Sequence, residues 1–128
     1  MPTMERAMLH ILVVDDDENT LIAQEALLED AGYRTTTAWG GEAGLKALES
    51  GKFDLVLLDD YLPGVDSSVL VRQARAAGLP VVILSTLRLP PEVELNGCET
   101  VHKWSPVAVR NKVDNLLKKE TGFRPRAA

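Results

Sequence analysis

The chain has one cysteine, Cys98, among 128 residues, and only two each of tryptophan, tyrosine and phenylalanine. A lone thiol makes no intramolecular disulfide, which suits a reducing compartment. Cys98 reads as a small thiol, buried or half-buried. Positive charge is also short: 14 Lys and Arg against 19 Asp and Glu leave a net charge of -5. That balance argues against general nucleic-acid binding, which needs a basic surface, and against anionic membrane surfaces. No apolar run approaches bilayer-spanning length. Residues Met1 to His10 lack the apolar centre of a secretory signal, so a cytoplasmic location is expected. Internal repeats and low-complexity segments are missing too. What remains is a chain 45% hydrophobic, long enough for one domain with a core and too short for two.

Strand-like apolar runs alternate with helical patterns. His10–Val14 reads as a strand and Glu18–Ala31 as a helix, with Leu21, Ile22, Ala26, Leu27 and Leu28 near helical spacing and Gly32 closing it. Tyr33–Ala38 is rich in β-formers and suits a strand nearer the sheet edge. Glu42–Ser50 is a helix, Leu55–Leu58 a fully buried strand, Ser67–Ala77 a helix capped by Gly78, and Val81–Leu84 a strand after Pro80. Between Leu87 and Gly97 the Pro90-Pro91 pair leaves room only for a short helix after the prolines. Thr100–His102 suits a last strand. Ser105-Pro106 then opens a helix, serine as N-cap and proline in its first position. The tail from Thr121 to Ala128 is expected to fray. This alternation predicts a parallel sheet covered on both faces, a doubly wound α/β fold whose site lies at the carboxyl ends of the strands.

Acids stand at those ends. Ile11-Leu12-Val13-Val14 stops in Asp15-Asp16-Asp17-Glu18, and Leu55-Val56-Leu57-Leu58 stops in Asp59-Asp60. Carboxylates brought together from two strands repel unless a cation lies among them or one takes a proton. A hard divalent metal beside a nucleophilic carboxylate makes a phosphoryl-accepting site. Ser85-Thr86 and Lys103 fall after the next two strands. Alone, Ser85 reads as a strand-end hydroxyl and Lys103 as a solvated lysine; beside the acids both gain a function. Asp17 and Glu18 suit a helix start, Asp66 a helix cap, and His10 and His102 structural roles.

With these residues in view, the sequence resembles the receiver domain of two-component response regulators. The likeness rests on Ile11 to Asp17, on Asp54 to Asp59 with Leu62-Pro63-Gly64-Val65-Asp66, on Leu79 to Ser85, and on Lys103. It covers Leu9 to Lys119. Residues 1–8 would be an extension, 9–120 the receiver, and 121–128 a tail. The resemblance implies a flavodoxin-like fold with a five-stranded parallel sheet. It makes the chain a signalling domain, not an enzyme acting on separate substrates. Asp59 would take a phosphoryl group from the phosphohistidine of a sensor histidine kinase or phosphotransfer protein, already anionic and needing no general base. Asp15, Asp16, Asp59 and the backbone carbonyl of Tyr61 would hold Mg2+. Ser85 and Lys103 would contact phosphoryl oxygens, and Tyr61, Thr86 and Leu87 would tune the pocket. The output is a switched protein–protein interaction with an unnamed partner, with room for a phosphorylation-dependent homodimer.

The chain departs from that pattern in several places. Trp104 follows the lysine where the family usually has proline. A cis bond there would cost about 3 kcal/mol, so a trans bond is expected, with the indole half-buried against the last helix. The segment from Ser85 to Lys103 is short, which shortens the fourth helix of the family fold. Thr100 replaces the usual aromatic. Ser67 stands where glycine is common and would be strained if that position needs a positive φ. Asp60 is unusual beside the acceptor and is expected to turn away. Tyr61 and Leu87 are bulky and non-acidic, which predicts slow loss of the phosphoryl group.

Two other readings compete. One is a degenerate receiver that binds partners without phosphorylation. The other is a phosphatase of the haloacid-dehalogenase type, loosely matched by Asp15-Asp16-Asp17; in that family the hydroxyl and lysine precede the late acids, whereas Ser85 and Lys103 follow them. No effector domain follows the last predicted helix, so a stand-alone receiver, a relay intermediate and a fragment of a longer protein all fit.

Overall fold

The computed structural model describes residues 9–86, 94–95 and 97–121, without the side chains of Glu94, Leu95, Glu120 and Thr121. In chain order the elements are β1 (His10–Asp15), α1 (Glu18–Asp30), β2 (Arg34–Trp39), α2 (Gly41–Ser50), β3 (Leu55–Asp59), α3 (Ser67–Ala76), β4 (Val81–Ser85), β5 (Glu94–Leu95), β6 (Cys98–His102) and α4 (Pro106–Thr121). The strands form one sheet in the order β2-β1-β3-β4-β6-β5. All neighbours are parallel except β5 and β6.

The central strands are buried on both faces, so they read as unbroken apolar runs. Alternate residues go to opposite sides. Ile11, Val13, Leu55, Leu57, Val82 and Leu84 pack under Leu21 and Leu28 of α1 and Val109, Val113 and Leu117 of α4. Leu12, Val14, Val56, Leu58 and Ile83 pack on the other side with Leu70, Val71 and Ala74 of α3. Helix α2 lies close to β1: a Cβ on Gly44 would come within 2.9 Å of Val14 Cγ1. That contact fixes the strand one residue before Asp15.

Capping follows the sequence. Asp17 accepts from Asn19 N at 3.0 Å and Asp66 from Ser68 N at 2.9 Å, each satisfying an orphan donor of a helix start. Ala108 N donates to Ser105 Oγ at 3.4 Å. Gly32 and Gly78 follow α1 and α3 at φ 100 and 78.

The structure adds to, and in places corrects, the sequence reading. The five parallel strands carry a sixth, antiparallel strand at the edge, β5, paired Glu94↔Glu99 and Leu95↔Cys98. Gly97, at φ 73, supplies the left-handed backbone that so tight a return needs. The short helix expected after Pro91 lies partly outside the described residues, and Glu94–Leu95, which are described, form a strand. The last parallel strand begins at Cys98 rather than Thr100. Ser67 opens α3 with helical backbone, so the expected strain is not there; the glycine of that turn, Gly64, carries the positive φ of 82. The extension 1–8 and the tail beyond Thr121 fall outside the described residues.

Candidate functional site

The chain runs from β1 outward to β2 and then returns to the other side of β1 as β3. The crevice at such a reversal opens at the carboxyl ends of the two central strands. Val14 stands level with Leu58, so Asp15 and Asp59, each one residue further on, leave the sheet at the same height. Ligand oxygens of Asp15, Asp16 and Asp59 lie within 4.8 Å of one another. Asp15 is fully buried, Asp59 is 4% exposed, and Asp16 faces solvent.

Lys103 enters from the end of β6. Its backbone N donates to Ser85 O at 2.8 Å. Its ammonium lies 2.9 Å from Asp15 Oδ2 and 3.4 Å from Asp59 Oδ2. It donates to Asp15 Oδ1 at 3.2 Å, and Asp17 N donates to the same oxygen at 2.9 Å. Asp15 Oδ2 is buried and accepts no hydrogen bond; its contact with the ammonium is an ion pair out of hydrogen-bonding line. A buried carboxylate oxygen without a donor is costly, and a metal ion would satisfy it. The donor set therefore fits a hard cation: three carboxylates, one open to solvent where waters can complete the shell.

The electrostatics say the same. Burial pushes the Asp59 carboxyl up to about 7, and the negative charge of Asp15 adds to the rise while Lys103 opposes it. The Asp60 side chain beside it adds to the rise, so Asp60 does not turn away from the acceptor. A nucleophile fully ionised at neutral pH was the expectation; without a cation the folded pocket leaves it partly protonated. For Lys103 burial pushes the ammonium down, but the Asp15 and Asp59 carboxylates outweigh burial and hold it above its ordinary value.

The other expected residues fall around this pocket. Ser85 ends β4, 1% exposed, level with His102. Thr86 follows it at the surface. The Tyr61 side chain is 70% exposed. Leu87 lies outside the described residues. Trp104 is 58% exposed, not half-buried against the last helix. Instead its ring centre stands 5.2 Å from the Lys103 ammonium. The Lys103–Trp104 bond is trans, as are all described peptide bonds. His102 Nδ1 accepts from Trp104 N at 3.3 Å.

Trp39 was not singled out from the sequence. It ends β2 level with Asp15, and its indole N–H donates to Asp16 O at 2.9 Å. The signal available was position: a tryptophan closing a run of β-formers beside the first acidic cluster.

The sequence profile of the response regulator receiver domain matches residues 11–94. The chain belongs to the response regulator receiver family. Among curated relatives, the transcriptional regulatory protein DltR of Streptococcus agalactiae is 38% identical over 79 residues, covering 60% of this chain and 35% of that protein. The alkaline phosphatase synthesis transcriptional regulatory protein PhoP of Bacillus subtilis is 34% identical over 85% of this chain and 48% of that protein. The chain thus spans about a third of the first of these relatives and about half of the second. Among solved structures, the Thermotoga maritima response regulator TrrA in complex with Mg(2+)-BeF superposes with TM-score 0.74 at 30% identity, over 85% of this chain and 99% of that one. The receiver domain of Francisella response regulator 1452 gives TM-score 0.73 at 27% identity, over 88% and 98%.

Proposed function

We propose that this receiver accepts a phosphoryl group on Asp59 from the phosphohistidine of a sensor histidine kinase or phosphotransfer protein, in a Mg2+-dependent step. The observation that carries the reading is the meeting of Asp15, Asp16 and Asp59 oxygens within 4.8 Å, with the Lys103 ammonium on the two buried acids. The likeness to a regulator solved with Mg(2+)-BeF supports the choice of metal.

In this reading Asp15, Asp16, Asp59 and the Tyr61 backbone carbonyl would hold Mg2+. Bound there, the ion would lower the Asp59 carboxyl and offset charge on the phosphoryl oxygens. A carboxylate oxygen of Asp59 attacks phosphorus as the bond to the donor imidazole nitrogen breaks and that nitrogen keeps the electron pair; with a proton on the ring's other nitrogen, the products are an acyl phosphate and a neutral histidine. Lys103 already sits at the acceptor, and a short swing of its ammonium from the carboxylates would pair it with a phosphoryl oxygen. Ser85 would donate its hydroxyl to another. The Tyr61 side chain points out into solvent, and neither it nor Leu87 carries an acid to orient an attacking water. The acyl phosphate should therefore persist for minutes or longer. The charge change would alter an interaction with an output partner or a second copy of the chain, and the kinase would meet it in the cytoplasm.

The test is phosphoramidate or acetyl phosphate with Mg2+, read by intact mass and by mapping of the modified residue. One phosphoryl group on Asp59 is expected, lost in Asp59→Asn and on chelation. No adduct with either donor, and none with beryllofluoride, would overturn the reading in favour of a phosphorylation-independent binding module. A half-life of only seconds would reject slow dephosphorylation alone.

A further inference from the structure

The Lys103 ammonium is held on one side by carboxylates, and something must define its other side. A groove of about 100 Å3 lies beside this residue, between α1 and the start of α4, lined by Thr20, Gln24, Leu27, Trp104 and Pro106 with Lys103 itself. Water that reached the ammonium would compete with Asp15 and Asp59 for its protons. The backbone at Lys103 is tied down: its N–H donates to Ser85 O and its carbonyl accepts from Gln24 Nε2 at 3.4 Å. The long side chain beyond has rotamer freedom that these bonds do not remove.

Trp104 lines that groove next to Lys103. Its N–H donates to His102 Nδ1, which folds the backbone back on itself and brings the indole beside the side chain of the preceding residue. The ring centre is 5.2 Å from Nζ, inside the range over which an aromatic face attracts a cation. The same indole is 58% exposed, so core packing does not explain its position.

We propose that Trp104 is a positioning residue for Lys103. Its aromatic face holds the ammonium over the Asp15–Asp59 pair and covers the groove side against water, so that Lys103 is already aimed when a phosphoryl group arrives. The kinetic consequence rests on the receiver reading; the placement of the lysine does not.

Two measurements separate them. In metal-free protein the Lys103 ε-methylene protons should resonate upfield through the indole ring current, return toward the usual lysine position in Trp104→Leu, and remain partly shifted in Trp104→Phe. With Mg2+ and phosphoramidate, Trp104→Leu should take up phosphoryl groups about three-fold more slowly, while Trp104→Phe stays closer to the parent. An unshifted lysine in the parent protein overturns the proposal, whatever the phosphorylation result. So does a Leu variant that loses the shift yet reacts at the parent rate, because apolar bulk then suffices. Should the parent accept no phosphoryl group, the receiver reading falls and the ring-current measurement still decides where Lys103 lies. Circular dichroism identifies a variant that fails to fold, and Trp104→Phe then carries the comparison.

Discussion

The two ends of β1 are built on opposite terms. At its start, His10 N donates to Asp54 Oδ2 at 2.8 Å, and the ring reaches Thr36 Oγ1 at 2.7 Å and Lys52 O at 3.0 Å. Phe53 lies against the ring, centroids 4.6 Å apart. Polar groups there are paired and partly open to water. At its finish, Asp15 is fully buried beside Asp59, one of its oxygens accepts no hydrogen bond, and one lysine serves two acids. The first end holds the edge of the sheet together. The second keeps charge in an unfavourable place that a ligand can relieve, which is how a binding site couples to stability.

The largest effect should come from removing the lysine. Lys103→Ala leaves Asp15 and Asp59 facing each other without a counter-charge. Breaking a buried ion pair by deleting one partner costs about 3–5 kcal/mol, and protonation of Asp59 would return part of that. A loss of about 3 kcal/mol in chelator is expected, by denaturant unfolding at pH 7.5. Mg2+ should restore more stability to this variant than it adds to the parent, since the cage then lacks its resident cation. Equal responses to Mg2+ would mean that Lys103 and the metal do not share the carboxylates.

The acid end was legible because burial and chemistry share one code. A strand covered on both faces must be apolar throughout, so Asp15 and Asp59 mark where Ile11–Val14 and Leu55–Leu58 leave the core. Helix starts at Asp17 and Asp66 were readable for a similar local reason: a side-chain oxygen caps its own helix. What could not be read depends on contacts between residues distant in the chain, or on side-chain direction. The two-residue strand β5 has no period to detect, although Asn96-Gly97 is a frequent hairpin dipeptide. The direction of the Asp60 side chain is a matter of local geometry just past β3, where its N–H still donates to Leu84 O of β4 at 3.1 Å. Trp39 reaches Asp16 only because β2 pairs with β1 in that register.

A smaller effect lies in the pH dependence of the metal-free protein. The Asp59 carboxyl rises from 3.8 unfolded to about 7 folded, so between those values the native state binds more protons than the unfolded state. Stability then falls as pH rises, by at most about 1.4 kcal/mol per pH unit, or roughly 2 kcal/mol between pH 5 and 7. Asp59→Asn should flatten that slope and stabilise the protein at pH 8. Saturating Mg2+ should flatten it too, because a bound cation replaces the proton. A parent protein whose metal-free stability increases steadily across this range would show that Asp59 ionises freely, and the close approach of Asp15 could not then be correct.

The smallest effect tests the other end of β1 and has the opposite sign. Burial lowers the His10 imidazole below 6.5, and the Arg34 guanidinium beside it lowers it further, while the Lys52 carbonyl pulls the other way. Here the unfolded state binds more protons just below pH 6.5, so this group makes stability rise with pH and partly offsets the Asp59 slope. Arg34 Nη2 lies 3.1 Å from Nδ1, the same nitrogen that meets Lys52 O, and one nitrogen cannot donate to the carbonyl and accept from the guanidinium at once. Arg34→Gln should therefore raise the imidazole toward its usual value and strengthen its bond to Lys52 O. The change in stability should stay within about 0.5 kcal/mol, because Arg34 is at the surface. NMR titration of the His10 ring measures the shift directly. An imidazole that falls or stays put in Arg34→Gln would mean that burial alone sets it, and that the guanidinium does not press on Nδ1 in solution.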